Sequence, residues 1–296
     1  MTITRRRLLQ VLGIGAVGSA VGSGHFYLND QDMAKAPRRE GRILLDMHTH
    51  MPKIEESDLV RVLSSHGITG LSCINKKGNE HRLLFEEALG LPGVTQIDHS
   101  LARIQSHYGI GYILRDQELT GSHHHVLAVG VPENYLDNDL DPRKAVELIH
   151  HYGGAAVINH PAITPNRNPH IGPSYLRYRF LTDEETVVKQ ELALMADEIE
   201  TFNAHNISPT FGFLGIPDMR QANAMAEDLA QSSGKKGVIS SDGRRLGQIK
   251  LCGIYLDDPG TGICTEYIVD QIKSQNFEND RRQYVSRLSF AIGMFL

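Results

Sequence analysis

The sequence of 296 residues has no tryptophan, only three cysteines, and no block of like charge long enough to form an acidic or basic tail. The missing tryptophan excludes no fold. Cys73, Cys252 and Cys264 show no C-x-x-C spacing and sit in contexts that read as core strands or turns. They allow at most one disulfide, which excludes a disulfide-stapled scaffold. The formal net charge of −5 is spread over mixed acidic and basic residues, so there is no clear nucleic-acid surface. No G-x-S-x-G element is present, which argues against a serine hydrolase of the nucleophile-elbow type. The one glycine-rich stretch, Gly13 to Gly18, lacks the strand–turn–helix context that a phosphate-binding loop requires.

That stretch belongs to an N-terminal segment of a different kind. Thr4-Arg5-Arg6-Arg7-Leu8-Leu9 precedes a modestly apolar, glycine-rich run of about fifteen residues, too short for a membrane span and laid out like a secretory signal. The arginine cluster resembles a twin-arginine export address. Residues 1–28 are therefore expected to be a signal or anchor read by the twin-arginine export machinery, with a periplasmic or extracellular location. A disordered basic tail before a cytosolic enzyme is the alternative. Small residues surround Ala20 without a clean A-x-A site, so a cleaved signal and an uncleaved anchor both stay open. Residues 29–41 read as a linker, and 42–296 as one domain.

From residue 42 short apolar runs alternate with helical patterns. Strands are predicted at 43–47, 70–74, 110–114, 125–131, 155–158, 198–202 and 238–240. Helices are predicted at 55–65, within 80–89 and 98–107, and at 142–152, 183–196 and 217–232. The alternation implies βα units with mostly parallel pairing. The stretch 161–182, with Pro165, Pro169 and Pro173, reads as irregular and suits a lid carrying His170, Tyr175, Arg177 and Arg179.

Metal-capable side chains follow the apolar runs: His48 and His50 in GRILLDMHTH, then Glu118, His125, His160, Glu200 with Asn203, and Asp242. In a strand, residues i and i+2 share a face, so the two imidazoles are expected side by side with Met47 and Thr49 turned away. Neutral imidazoles on one face can share a soft or borderline ion. Scattered surface histidines have no reason to prefer strand ends, whereas in a parallel barrel those ends form the site.

Taken in order, DMHTH, GYILRDQELTG, HHHVLAVGV, GGAAVINHPA, IETFNAHN and ISSDGR resemble the motifs of the PHP (polymerase and histidinol phosphatase) superfamily across about residues 42–277. The resemblance implies a distorted (β/α)7 TIM-like barrel in the α/β class and metal-dependent hydrolysis of a small phosphorylated substrate. It also implies a metal set of His48, His50, Glu118, His125, His160 and Asp242, and a final helix within 262–277. One or two divalent ions per chain, Mn, Zn or Fe, would suit these mixed N/O ligands. His125 and His160 serve as ligands or move a proton. Glu200 reads as a further ligand or as a carboxylate paired with an arginine, and Asn75, Asn203 and His205 are additional candidates. A full eight-stranded amidohydrolase-like barrel is the runner-up fold.

The chain departs from the superfamily pattern at two places. An Asp-His pair falls on Asn75-Lys76, and a late histidine falls on Arg244; neither Lys nor Arg brings a free lone pair to a metal. Lys76 and Arg244 would hold substrate oxyanions instead. The opposing reading is a catalytically impaired protein that keeps the metal for binding or structure. A displaced pair, Asp98-His99, reads as a helix start with Asp98 as its cap.

Overall fold

The computed structural model describes residues 35–73, 81–121, 124–131, 136–165, 178–206, 219–280 and 282–285. Residues 1–34, including the export-like segment, and Asn75 and Lys76 lie outside the described residues, as do His170, Tyr175 and Arg177. In chain order the elements are β1 (Arg42–Thr49), α1 (Glu56–Leu63), β2 (Ile68–Cys73), α2 (Phe85–Ala88), β3 (Val94–Gln96), β4 (Leu101–Ser106), β5 (Gly109–Leu119) and β6 (Val126–Val129). They continue with α3 (Pro142–His151), β7 (Ala155–Ile158), β8 (Ile163–Pro165), β9 (Tyr178–Phe180), α4 (Asp183–Met195) and β10 (Glu198–Asn203). The last are α5 (Arg220–Ser232), β11 (Val238–Ser240), β12 (Ile254–Asp257), α6 (Thr265–Lys273) and β13 (Glu278–Asn279). No helix among the described residues is long and apolar enough to cross a membrane.

Nine strands form one path, β11-β10-β7-β6-β5-β2-β1-β12-β13, with the β3–β4 hairpin attached to β5. The path nearly closes on itself. Beyond the pairing of β1 with β12, Thr49 bridges to Gly243 in parallel, and His50 N–H donates to the Gly243 carbonyl at 2.7 Å. The result is a mixed α/β fold with a nearly closed barrel.

Each predicted strand exists, but the pairing is less parallel than the βα rhythm implied. β1–β2, β2–β5, β7–β10 and β10–β11 are parallel, whereas β6 runs antiparallel to both β5 and β7. The predicted helix at 98–107 is instead strand β4. Leu101 and Ile104 mimic a helical stripe by their spacing, but a hairpin through His107-Tyr108 pairs Ser106 with Gly109. Asp98 caps no helix of its own; its carboxylate accepts the backbone N–H and the hydroxyl of Thr265 at 2.7 Å each, anchoring the start of α6. The predicted helix within 80–89 shrinks to α2, and the stretch 161–182 contains the small antiparallel pair β8–β9. The expected final helix corresponds to α6.

Strand alternation divides the apolar side chains between two layers. Leu127 and Val129 of β6 and Ala155 and Val157 of β7 join Leu45, Leu114, Val238 and Ile254 in one interior cluster, closed by Ile268, Val269 and Ile272 of α6. Their neighbours Val126, Ala128, Ala156 and Ile158 face outward onto α3, α4 and α5. The interior is thus apolar at one end, leaving the other to the polar strand termini.

Gly70 is the tightest backbone position near the site. A Cβ there would lie 2.0 Å from Asp116 Oδ2 and 2.5 Å from the Met47 carbonyl oxygen. Because the second obstacle is backbone, Gly70→Ala is expected to cost about 2–4 kcal/mol. Urea unfolding checks this, and a loss under 1 kcal/mol would show that β1 and β2 separate more easily than their packing implies.

Candidate metal centre

The site begins at the end of β1. Its register against β2 shifts between Asp46 and Thr49, an irregularity that re-aims side chains where strict alternation would not. Met47 therefore does not turn away as expected; it packs with Leu45 in the interior cluster, and His48 and His50 are nevertheless both buried in the site. Their rings meet edge to face with centroids 5.2 Å apart. The Nδ1 of His50 lies 3.0 Å from the Ser72 carbonyl, which only accepts, so Nδ1 carries the proton. Nε2 keeps its lone pair, 3.3 Å from both Glu118 Oε2 and Asp242 Oδ1.

Glu118, from the end of β5, is the centre of the cluster. Its Oε1 is 2.8 Å from His125 Nδ1, 3.1 Å from His160 Nε2 and 3.7 Å from His48 Nε2. Two groups are able to hold a metal ion, His48/His50/Glu118 and Glu118/His125/His160, and Glu118 belongs to both. These provide for one or two divalent ions. His125 does not follow its strand, as the sequence pattern suggested, but precedes β6. Because β6 is antiparallel, its first residue lies at the same rim as the last residues of β5 and β7.

Glu200 is in neither of the two groups able to hold a metal ion. It has no arginine partner among the described residues, and both oxygens are engaged by donors from the chain. Oε1 accepts from His48 Nδ1 at 2.9 Å and from the Ser240 hydroxyl; Oε2 accepts from His160 N–H at 2.7 Å and Asn203 Nδ2 at 3.1 Å. Carboxylates placed behind a ligating imidazole fix its tautomer and orientation. Glu200 does this for His48, leaving His48 Nε2 facing Glu118 and Asp242. It also holds the backbone of His160, whose φ of 26° is left-handed and unfavourable for a residue with a side chain.

Asp242, with φ 46°, is likewise in the left-handed region just past β11. Asn203 Nδ2 donates to its Oδ2 at 3.3 Å. Arg244 reaches back to it, with Nε at 3.3 Å and Nη2 at 3.2 Å from Oδ1. Gln248 Oε1 accepts from Arg244 N–H at 3.0 Å and lies 3.0 Å from His205 Nε2. His205 is thus tied to Gln248 by its ring and to Asn203 Oδ1 by its backbone N–H, at 2.8 Å. The Asp98-His99 pair does not reach this site: Asp98 is committed to Thr265 and His99 is exposed.

Burial and crowding set the charges. Burial raises the Glu118 carboxyl, but His125 and the other imidazoles outweigh it and hold the group well below the usual range. Burial also works upward on Asp242, and Arg244, His48 and His50 overcome it, so that carboxyl is held far down. Burial alone would neutralise His48, yet Asp242 and Glu200 push it well above an ordinary imidazole. Burial pushes His125 and His205 each down to about 4.

Sequence reasoning missed Lys189. It is almost fully buried on α4, with no hydrogen-bond partner for Nζ among the described residues. The signal was its spacing: Lys189 stands three and four residues before Leu192 and Ala193, on the apolar stripe of its helix. The Arg82 guanidinium was missed as well; it donates to the His50 carbonyl at 2.5 Å.

No protein-family model matches the sequence, and no curated protein sequence matches it. Among solved structures the chain is similar to the crystal structure of PsfC from Pseudomonas syringae PB-5123, with TM-score 0.51 and 13% identity over 86% of this chain and 97% of that one. A weaker similarity, TM-score 0.45 and 12% identity over 83% of this chain and 67% of the other, is to a two-domain Bacteroides vulgatus protein containing a predicted PHP-like metal-dependent phosphoesterase. At such identities the first similarity speaks for the fold alone.

The paired histidines generate the first test of this centre. The double variant His48→Ala/His50→Ala is expected to lose high-affinity binding of Mn, Zn or Fe, read as metal content after dialysis. Unchanged metal content would remove both residues from the centre.

Lys189 generates a second. Burial, only partly offset by Glu118 and Glu200, pushes its ammonium down to about 7. A depressed lysine pKa gives stability that is complete above the ordinary value of 10.5 and is lost as pH falls through about 7. Lys189→Met is therefore expected to stabilise the metal-free protein by about 1–4 kcal/mol near pH 6. The gain should shrink as the pH rises toward 10. Urea unfolding at the two ends of this range decides it, and a pH-independent difference would show that the ammonium is already compensated.

Proposed function

We propose that the protein is a metal-dependent phosphoesterase of the PHP type, hydrolysing a small phosphate ester with one or two divalent ions. The observation that carries this reading is the pair of His/His/Glu groups sharing the buried Glu118. The donor set fits a divalent ion: His50 Nε2 and His125 Nε2 are buried nitrogens with no hydrogen-bond partner among the described residues. His48, His50, Glu118, His125, His160 and Asp242 would hold the metal. A bound divalent ion supplies Lewis acidity toward a phosphoryl oxygen and toward water.

The chain's own groups provide the rest. His125 is neutral near pH 7, donates Nδ1–H to Glu118, and presents a bare Nε2. That atom can take a proton from the attacking water and return it to the ester oxygen as the P–O bond breaks. The same lone pair serves a metal ligand, so His125 has one of the two roles and not both. Arg244, half-exposed beside Asp242, would bear on the oxygens of phosphorus that are not attacked. Lys76 joins it in this proposal, although it lies outside the described residues. The twin-arginine-like N-terminus supports export, so we place the activity outside the cytoplasm, with the signal either cleaved or kept as an anchor.

One observation favours a second reading. Arg244 lies against the same Asp242 carboxylate that a metal would use, as in a protein that keeps metal binding or a structural role and has lost turnover. Supplying Mn, Zn or Fe and assaying a panel of phosphate monoesters separates the two. Hydrolysis that disappears in His48→Ala/His50→Ala supports the enzyme, and no hydrolysis of any ester supports the second reading. In an active enzyme, Arg244→Ala is expected to lower kcat/KM on the order of a hundredfold, while Arg244→His retains more by restoring an imidazole. Equal activity in Arg244→Ala and the native protein would exclude Arg244 from the reaction.

A further inference from the structure

Arg82 was not among the candidate residues, yet it is built into the rim of the metal centre. Its Nη1 donates to the carbonyl of His50 at 2.5 Å and to the carbonyl of Arg244 at 3.3 Å. It therefore spans the two segments that deliver His50 and Asp242. The backbone around it is fixed by pairing with the segment after β1: Pro52 bridges Arg82, Leu83 N–H donates to Met51 at 2.8 Å, and Lys53 N–H donates to His81 at 2.9 Å. A neutral donor would serve for carbonyl bridging alone. A guanidinium brings a charge as well, and Arg82 has no carboxylate partner within ion-pair distance among the described residues. Burial and the charge of Arg244 both weigh against the Arg82 cation, while Asp242, which Arg244 already contacts, favours it. Arg82 thus lies against the backbone of Arg244, whose own guanidinium reaches Asp242, and both arginines are partly exposed at the edge of the site.

We propose that Arg82 and Arg244 form an anion subsite beside the metal centre that takes the oxygens of a tetrahedral oxyanion of the phosphate class. The proposal deepens the phosphoesterase reading and rests on it for the identity of the anion. It adds that Arg82, rather than Arg244 alone, sets the affinity. Placed on carbonyls at Nη1, the Arg82 fork is held in one orientation, so little side-chain freedom is lost when its other nitrogens meet an oxyanion. An arriving phosphate would offset the positive charge that Arg82 brings to this edge of the site. It also explains how a site with arginine at position 244 still recognises an anion: the second guanidinium remains when the first is held by Asp242.

The test uses inorganic phosphate as the probe on the full chain, by calorimetric titration. Arg82→Gln should weaken phosphate binding to the metal-loaded protein by about tenfold or more, in line with loss of a charge-assisted contact. Arg82→Lys should fall between the two, and metal content should stay at the native value. Phosphate affinity in Arg82→Gln equal to native overturns the subsite. Because Arg82 also joins two loops, a second measurement uses the native protein alone. Millimolar phosphate should raise the Tm of metal-free protein, whereas chloride at equal ionic strength should not; no shift, or an equal shift with chloride, overturns the proposal. Arginine-dependent phosphate binding without hydrolysis of any ester would sustain the subsite and remove the phosphoesterase reading. Hydrolysis with phosphate affinity indifferent to Arg82 would do the reverse.

Discussion

A single carboxylate buried among imidazoles governs the architecture of the site. Glu118 places two oxygens within 3.7 Å of nitrogens from His48, His50, His125 and His160. An ionised carboxylate removed from water costs several kcal/mol unless its surroundings return that energy. Here the return comes from four imidazoles on three strand ends at once, so none of them can move without leaving charge uncompensated. The bulge in β1, the left-handed backbone of His160 and Asp242, and the inserted antiparallel β6 all serve to bring nitrogen or oxygen to this one point.

Glu200 has the complementary task. Four donors from the chain engage its two oxygens, and it acts on the site only through the residues it orients. The two glutamates divide the work by how fully they are satisfied. Glu118 is approached by ring nitrogens that a cation can compete for, whereas Glu200 is closed off by a hydroxyl, an amide, a backbone N–H and the Nδ1 of His48. Arg244 adds positive charge on the Asp242 side, and Arg82 lies against the Arg244 carbonyl at the same edge. A cluster built this way sets metal-capable groups at its centre and arginines at its edge.

Much of this was legible in the chain. Apolar runs ending in His48, Glu118, Glu200 and Asp242 gave the strands and their polar tips, because period-two alternation and strand-end chemistry are local properties. What failed was non-local. The direction of β6 cannot be read from VLAV, which is apolar whichever way it runs. Yet only residues 120–125 separate β5 from β6, too few for a crossover helix, and that length already required antiparallel pairing. Leu101 and Ile104 suited a helix as well as a strand until β5 supplied a partner. Glu200 was recognisable as a polar strand end, but its closure by four donors depends on residues from three other elements. Lys189 escaped notice because a lysine on an apolar stripe contradicts the usual partition, and contradictions of that kind collect near functional sites.

The seam of the barrel falls within the site itself. Asp46, two residues before His48, accepts from Ser241 N–H and Oγ, and these residues stand 195 positions apart. His50 N–H meets Gly243 in the same place. Pairings of such separation carry a large loop-closure cost and belong among the slow steps of folding. The histidines are therefore made early in synthesis and find their setting only after the chain has reached β11 and beyond. Ligand geometry at this centre is a property of the finished barrel and of no fragment of it. An ion or anion held there would act as a latch across the first and last turns of the fold, slowing the opening of the seam in proportion to its residence.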